Sequence, residues 1–331
     1  MKKPIKAAIL GMGGMGNRHA GNLMKLDGVS VVGLCGRTLA AGEKFNAAHA
    51  CDIPVFDDFD TMLAQVEMDA LFVCLPPNQH NGQIEAAAEK GIHIFAEKPL
   101  ALTLERAQSI ADAVKKHRVL SQVGYNMRFV SAVSRLKELI DSGVAGKPTL
   151  FTASFECNDL HSPWWSHADE SGGQVFEQVI HLYDLAMYTM GDVAAVSGFM
   201  DNLCHQDVPG YTIEDTSAVT LLFKNGAMAA ITGSNCAVPG DWKLPFYWVF
   251  ENLIANFRDA NSPTFIFTKE KNRGESVTEG VDTHRAEVQR FIDVLRGEKA
   301  EFASIAEGLA GLRVVAAAVE SAKNRGAVQR L

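Results

Sequence analysis

The first third of the chain alternates short apolar runs with segments of helical character. The apolar runs are strand-like, and they cover residues 5–10, 29–35, 70–75, 92–96 and 120–124. Between them the sequence predicts helices over residues 17–26, 40–50, 61–66, 80–90 and 103–117. Alternating strands and helices are typical of a parallel sheet. The pattern therefore predicts an α/β domain with a doubly wound parallel sheet over residues 1–124.

The pattern changes after about Tyr125. Longer segments of alternating polar and apolar residues predict strands at 149–157, 194–203, 216–223, 227–235 and 246–252. Further helices are predicted at 131–142, 174–190, 284–296 and 305–324. Turn sequences such as Lys224-Asn225-Gly226 separate neighbouring strands. Residues 125–331 are therefore predicted to form a C-terminal α+β domain, in which helices pack on one face of a large, mostly antiparallel open sheet.

Composition and charge exclude several classes of protein. The 331 residues are 47% hydrophobic and 21% charged, as in globular proteins. A net charge of −8 argues against a nucleic-acid partner, because phosphate neutralisation requires a basic surface. No apolar run approaches the roughly 18 residues of a membrane span. The six cysteines are widely spaced and several lie in apolar runs, which predicts reduced, buried thiols, a cytoplasmic location and no metal centre.

A glycine-rich segment, Gly11-Met12-Gly13-Gly14-Met15-Gly16, directly follows the first predicted strand and opens a helical run. In this context Gly11 suits a tight turn, Gly13 a close approach of the backbone to a pyrophosphate, and Gly16 close packing of helix and strand. The helix N-terminus would then bind the pyrophosphate. The motif by itself could also be an ordinary strand-to-helix turn. Its place after a strand indicates a Rossmann domain that binds a dinucleotide.

The end of the second predicted strand bears on the choice of cofactor. NAD-selective domains usually place an acidic residue there, about 20 residues after the glycines, to bind the ribose 2′-hydroxyl. This chain has Gly36-Arg37-Thr38 instead, and Arg37 could bind a 2′-phosphate. The sequence therefore favours NADP(H) and leaves NAD(H) possible. Arg37 could alternatively be a solvated surface residue.

Two further segments carry candidate catalytic groups. Glu97-Lys98-Pro99 follows a predicted strand, so Lys98 is expected at the carboxyl edge of the parallel sheet, where such folds bind ligands. In the predicted helix 174–190, Glu177, His181 and Asp184 share one polar stripe with Tyr188 on an otherwise apolar surface. Such a stripe could be a self-satisfied buried network. In a dinucleotide-binding chain it is also a candidate for proton transfer.

These motifs together resemble the Gfo/Idh/MocA family over essentially the full length of the chain. The matching segments are Gly11–Gly16, Leu75-Pro76-Pro77-Asn78-Gln79-His80, Glu97-Lys98-Pro99, Gly124-Tyr125-Asn126-Met127-Arg128-Phe129, and Gly172-Gly173 followed by His181-Leu182-Tyr183-Asp184. The resemblance implies a Rossmann domain, a C-terminal sheet used in oligomerisation, and NAD(P)-linked oxidation or reduction of sugars and cyclitols. The chain departs from the usual family pattern in having Glu177 where an aspartate is usual and Val179 where a glycine is common.

The resemblance also implies the roles of individual residues. Lys98 corresponds to the family's catalytic lysine and His181 to its proton-transferring histidine, with Glu177 as a third catalytic candidate. Substrate contacts are expected from these three residues together with Arg128 and Trp165. Arg128 could instead contact the cofactor or brace the domain junction, and Trp165 could fill a loop core. Cofactor contacts are expected from Gly11, Met12, Gly13, Gly14, Met15, Gly16, Arg37, Thr38, Leu75, Pro76, Asn78, His80, Glu97, Lys98 and Asn126.

The expected reaction is hydride transfer between a nicotinamide and a secondary alcohol of a sugar, cyclitol or polyol. His181 would take the hydroxyl proton, Lys98 would stabilise charge on the oxygen, and Asp184 would support the site from behind. The expected assembly is a homodimer or homotetramer. Two alternatives remain: a nucleotide-binding regulator without catalysis, and a glycosidase that uses bound NAD for transient oxidation.

Overall fold

A computed structural model describes residues 3–257, 263–271, 273–277 and 280–331. The first 126 residues contain a series of strands and helices in strict alternation. In chain order they are β1 (Ile5–Leu10), α1 (Gly14–Leu23), β2 (Val29–Cys35), α2 (Leu39–His49), β3 (Val55–Phe56), α3 (Phe59–Gln65), β4 (Ala70–Val73), α4 (Gln83–Glu89), β5 (His93–Ala96), α5 (Leu104–His117) and β6 (Ser121–Val123). The strands form one parallel sheet in the order β3-β2-β1-β4-β5-β6.

The remainder of the chain is richer in long strands. Its elements are α6 (Ser131–Asp141), β7 (Pro148–Glu156), α7 (Ala168–Ser171), α8 (Ile180–Met190), β8 (Val193–Asp201), β9 (Thr216–Phe223), β10 (Met228–Ser234), β11 (Phe246–Phe250), β12 (Leu253–Phe257), β13 (Thr264–Phe267), β14 (Arg273–Ser276), α9 (Thr283–Leu295), α10 (Ile305–Lys323) and β15 (Gln329–Arg330). In the described part of the chain, nine strands form a sheet in the order β14-β13-β12-β11-β7-β10-β9-β8-β15. Neighbouring strands are antiparallel except for the parallel pair β7 and β10. The predicted fold class is confirmed.

Two compact units make up the structure. The first contains residues 1–126 and 282–309, and the second contains residues 127–281 and 310–331. Helix α9 thus belongs to the first unit, although the sequence grouped it with the second domain. The reason is packing: Val288, Phe291 and Ile292 of α9 are buried in the same core cluster as Phe72 and Phe95 of the parallel sheet.

Several elements differ from the sequence-based prediction. The predicted strand 246–252 ends earlier, at Phe250, and a tight turn at Glu251-Asn252 connects β11 to its antiparallel neighbour β12. Strands β3, β12, β13, β14 and β15 were not predicted; none is longer than five residues, which leaves little periodicity to identify them. The predicted helix 80–90 begins only at Gln83, after Gly82 at φ +114°. In the described part of the chain no helix has the length and apolar character needed to cross a bilayer.

Candidate active site

The glycine-rich loop has the geometry that its sequence predicts. Gly11 has φ +96°, and a Cβ there would lie 2.5 Å from the carbonyl oxygen of Cys74. A Cβ at Gly16 would lie 1.8 Å from the carbonyl oxygen of Gly11, so only glycine allows α1 to pack this closely on the loop. A Cβ at Gly13 or Gly14 would meet no atom within 4 Å. The loop is therefore tightly packed at Gly11 and Gly16, whereas Gly13 and Gly14, at the start of α1, face open space.

This open end of α1 can accept an anionic group. Gly13 is the N-cap residue and supplies no side-chain acceptor for the first N–H groups of the helix. Those N–H groups and the helix dipole favour negative charge. The backbone around Gly13 thus fits the pyrophosphate of a dinucleotide.

A groove of about 570 Å³ runs along the carboxyl ends of β1, β2 and β4. Seven of the predicted cofactor residues line it, namely Gly11, Met12, Gly13, Arg37, Thr38, Leu75 and Pro76. Five polar or aromatic lining residues were not predicted, namely Asp57, Phe59, Gln79, Asn81 and Gln83. Gln79 lies within the strand exit 75–80 quoted from the sequence and Asn81 directly follows it. Asp57 and Phe59 follow the short strand β3, which periodicity did not predict.

The other predicted cofactor residues lie outside the lining of this groove. They are Gly14, Met15, Gly16, Asn78, His80, Glu97, Lys98 and Asn126. The imidazole of His80 is buried, and its Nδ1 lies 2.7 Å from the carbonyl oxygen of Leu100. Burial lowers the pKa of His80 and keeps the ring neutral. The Asn126 side chain donates to Thr283 Oγ1 at 3.0 Å. In this structure both side chains bind partners within the first unit, His80 a backbone carbonyl and Asn126 a side-chain hydroxyl.

A buried cluster of ionisable groups stands next to Lys98. Lys98 is the second residue beyond the end of β5, and its backbone N–H donates to Glu97 Oε2 at 3.2 Å. The other carboxylate oxygen of Glu97 lies 2.6 Å from His19 Nε2. Burial opposes ionisation of Glu97, but the hydrogen bond and charge of His19 together with the charge of Lys98 outweigh it and lower the pKa of Glu97. A carboxylate is thereby maintained directly behind the Lys98 backbone.

Glu287 of α9 completes this cluster. One of its oxygens lies within 4.8 Å of the facing atoms of both His19 and Glu97. Its carboxyl group is fully buried, and neither oxygen has a hydrogen-bond partner among the described residues. Burial and the neighbouring charge of Glu97 raise the pKa of Glu287 well above its usual value, which favours the protonated form. No motif marks Glu287 in the sequence, and the sequence predicts its helix in the other domain.

In the second unit, the predicted helix 174–190 has an irregular first turn. Residues Val175–Val179 form one turn of π-helix, and regular α-helix continues as α8. Gly172 and Gly173, both at positive φ, precede this turn. The Glu214 carboxylate accepts the backbone N–H of Val175 at 2.7 Å. Burial raises the pKa of Glu214 to about 7. A π turn changes the angular spacing of side chains, so the α-helical stripe expected from Glu177 to Tyr188 does not hold along its full length.

The polar side chains of this helix have separate partners. Glu177 Oε2 accepts a hydrogen bond from the indole Nε1 of Trp165 at 2.9 Å. His181 is largely buried in the next turn. Asp184 binds Arg128 through two bonds, Nε to Oδ2 at 2.8 Å and Nη2 to Oδ1 at 2.6 Å. The Arg128 guanidinium also lies 4.5 Å from the ring centre of Tyr188. The Arg128 charge is thus matched by Asp184 within the second unit.

Two family models match the chain. One, described as an oxidoreductase family with an NAD-binding Rossmann fold, covers residues 5–125, and the other, the GFO/IDH/MocA C-terminal domain, covers residues 133–250. The scyllo-inositol 2-dehydrogenase (NAD(+)) of Bacillus subtilis is 31% identical over 243 residues, which span 72% of this chain and 70% of that protein. The chain belongs to the Gfo/Idh/MocA family. The resemblance seen in the sequence is confirmed, and the protein is an oxidoreductase with an NAD-binding Rossmann domain.

Two other proteins match over almost their whole length. The myo-inositol 2-dehydrogenase of Thermotoga maritima is 26% identical, covering 98% of both chains. A solved levoglucosan dehydrogenase, in complex with NADH and levoglucosan, superposes with a TM-score of 0.89, 19% identity and 99% coverage of both chains. At that identity the superposition shows a shared fold.

Two adjacent tryptophans, Trp164 and Trp165, lie in the segment before the π turn. Trp165 is 2% exposed and packs with Tyr211 and Ile213, so its ring lies in a loop core, one of the two places expected for it. Its indole still reaches Glu177, one of the residues with a predicted catalytic role. The more exposed indole in this region belongs to Trp242, which is 46% exposed and lies 5.3 Å from the ring of His161. Trp242 stands alone between Asp241 and Lys243 and belongs to no motif, so nothing in the sequence predicts a role for it.

Proposed function

We propose that this family member oxidises a secondary alcohol of a sugar, cyclitol or related polyol with a nicotinamide dinucleotide. The proposal depends chiefly on the groove at the open end of α1, whose glycine geometry fits a dinucleotide pyrophosphate. The substrate class follows from the relatives described above, the inositol dehydrogenases of Bacillus subtilis and Thermotoga maritima. Hydride transfer from the alcohol to the nicotinamide is the chemistry that the bound cofactor supplies.

Three side chains carry the proposed proton and charge chemistry. The imidazole of His181 takes the proton of the substrate hydroxyl as the carbon is oxidised. The Lys98 ammonium donates to the same oxygen and stabilises its developing negative charge. Glu177, oriented by the Trp165 indole, binds the substrate or the imidazole. In the reductive direction His181 returns the proton.

Replacing the two principal groups tests these roles. Lys98→Met and His181→Asn should each lower kcat by roughly 10²- to 10⁴-fold, because general acid–base and charge stabilisation contribute on that scale. Dinucleotide affinity, measured by fluorescence titration, should remain within a few-fold of the parent protein. Lys115→Met is the matched control, since Lys115 is exposed on α5. Turnover near the parent rate in both variants would refute the assignment.

Absorbance of the reduced nicotinamide separates the proposal from its two alternatives. A dehydrogenase produces reduced cofactor in proportion to the polyol consumed. A glycosidase that oxidises its substrate transiently releases product with no net absorbance change, and a regulator binds the nucleotide without turnover. The screen should include sugars, cyclitols and their keto forms, with both phosphorylated and unphosphorylated cofactors.

We further propose a preference for NADP(H), carried by Arg37 in the groove lining. One charge-assisted bond to a 2′-phosphate contributes about 1.5 to 3 kcal/mol, roughly tenfold or more in affinity. Asp57 lines the same groove and favours the competing choice, NAD(H), because a carboxylate can accept the ribose 2′-hydroxyl. Arg37→Ser should lower kcat/KM for NADPH about tenfold and leave that for NADH unchanged. If Asp57→Asn instead impairs use of NADH selectively, the protein prefers NAD(H).

The open face of the nine-stranded sheet supports a proposed homo-oligomer, a dimer or tetramer. Leu222 and Met228 are exposed beside a shallow cavity lined by Leu150, Ala230 and neighbouring apolar residues. Contiguous apolar patches of this kind commonly mark protein interfaces. Light scattering after size exclusion should give the mass of an oligomer, and Met228→Glu should shift it towards the monomer. A monomeric parent protein would contradict the proposal.

A further inference from the structure

Two cysteines that are distant in sequence meet at one end of the second unit. Cys204 lies in the loop 202–215 between β8 and β9, and Cys236 lies two residues beyond the end of β10. Their sulfur atoms and a carboxylate oxygen of Asp215 all lie within 4.8 Å of one another. The prediction of buried thiols is wrong for Cys204, which is exposed in its loop, whereas Cys236 is half-buried. The pair has no place in the proposed hydride-transfer chemistry.

Asp215 determines what this cluster can bind. Its carboxylate is fully buried and accepts the backbone N–H groups of Leu203, Cys204 and His205, the His205 Nδ1 and the Thr216 hydroxyl, at 2.7 to 3.0 Å. Five donors occupy the roughly four lone-pair positions that a carboxylate offers. Little capacity remains for a metal ion, for which two thiolates alone are an incomplete ligand set. Asp215 instead holds the backbone of residues 203–205, which keeps the Cys204 thiol close to Cys236.

We propose that Cys204 and Cys236 form a reversible disulfide. The Cys204 thiolate attacks a small-molecule disulfide such as glutathione disulfide, releasing one equivalent of thiol and forming a mixed disulfide. Cys236 then loses its proton to solvent and displaces the second thiol. The two protein thiols are oxidised, and the two sulfur atoms of the small disulfide are reduced. Cys204 is the entry point because it is exposed. Burial and the neighbouring Cys204 raise the pKa of Cys236 to about 12, so Cys236 acts second.

The disulfide would restrain a loop that contacts the helical segment 174–190, which contains Glu177 and His181. Within the loop 202–215, Tyr211 and Ile213 pack on Trp165, which donates to Glu177. Glu214, the next residue, accepts the Val175 N–H at the start of the π turn. A bond from Cys204 to the end of β10 would fix the opposite end of this loop. Formation of the disulfide itself does not depend on the proposed dehydrogenase activity.

The test uses the full chain, purified under reducing conditions and then incubated with glutathione disulfide. The intact protein should lose the mass of two hydrogen atoms and retain no glutathione, and dithiothreitol should reverse the change. Trypsin with a glutamate-specific protease separates Cys157 from Cys204, because Glu170 and Glu177 lie between them. The digest should then contain one cross-linked species joining the Cys204 and Cys236 peptides. This mapping needs no variant.

Variants and a metal titration complete the test. Cys204→Ser and Cys236→Ser should each abolish the mass loss, whereas Cys51→Ser, the matched control from the first unit, should retain it. Oxidation should raise the Tm of the parent protein by a few degrees, because the bond closes a loop in the unfolded chain. A stable glutathione adduct on Cys204, a bond to Cys157, or no reaction would overturn the proposal. So would stoichiometric binding of Zn²⁺ by the reduced protein that requires both cysteines.

Discussion

The buried pair of Arg128 and Asp184 allows a sharp prediction about stability. Asp184→Asn retains the size of the side chain and removes the negative charge that binds the Arg128 guanidinium in the interior of the second unit. The two side chains are 7% and 3% exposed and share two hydrogen bonds at 2.8 and 2.6 Å. Solvent therefore screens this pair weakly. Removing the charge of Asp184 should lower the free energy of unfolding by more than removing a charge at the surface.

The expected magnitude follows from that burial. Removing one partner of a buried ion pair typically costs about 3 to 5 kcal/mol, because the remaining charge has lost its solvation and its partner. That is roughly a 10²- to 10³-fold or greater change in the folding equilibrium. Asp141→Asn is the comparison variant, because it breaks an ion pair with Lys137 on the surface of α6. The Asp141 side chain is about half exposed. An exposed pair of this spacing contributes only about 0.3 to 0.5 kcal/mol.

Tryptophan fluorescence in a urea titration measures this difference in the right part of the molecule. All four tryptophans, Trp164, Trp165, Trp242 and Trp248, lie in the second unit together with the ion pair. The double variant Arg128→Met/Asp184→Leu should recover most of the lost stability, since an apolar pair often replaces a buried ion pair without loss. If Asp184→Asn costs no more than Asp141→Asn, the pair is not desolvated and the reasoning fails.

Two further predictions concern the first unit. Burial holds the pKa of Glu287 well above 4.5, so the native state retains a proton that the unfolded state has lost. Stability should therefore fall as pH rises from about 4.5 towards the folded pKa, by up to about 1.4 kcal/mol per pH unit, and Glu287→Gln should lack this loss in thermal melts at pH 5 to 9. Parallel pH profiles for the two proteins would count against a protonated Glu287. Gly16→Ala should destabilise the first unit and abolish dinucleotide binding, because its Cβ would lie 1.8 Å from the Gly11 carbonyl oxygen. Gly14→Ala, which meets open space, should leave the melting temperature unchanged, and equal losses in both variants would show that the loop rearranges.

Local patterns in the sequence determined much of this protein. The strands β1, β2 and β9 were predicted to the residue, because apolar or alternating runs are bounded there by glycine, charge or turn residues. The conformation of the glycine-rich loop was also predicted from the sequence. The close contact that requires glycine at position 16 is with Gly11, five residues away, and only the contact of Gly11 with the Cys74 carbonyl oxygen is distant in sequence. The family motifs added the identity of the fold and the residues with predicted catalytic roles.

The tertiary structure alone decided the partners of the buried polar groups. Nothing near Glu287 in the sequence indicates that α9 returns to the parallel sheet and brings this carboxyl to Glu97, 190 residues earlier in the chain. The same holds for the pairing of Arg128 with Asp184 and for the hydrogen bond from the Val175 N–H, at the start of the π turn, to Glu214. It also holds for the proximity of Cys204 and Cys236. Periodicity reports which face of an element is buried. Which distant charge or thiol lies opposite that face depends on how the elements pack, and that is set by the sum of many weak apolar contacts rather than by any local pattern.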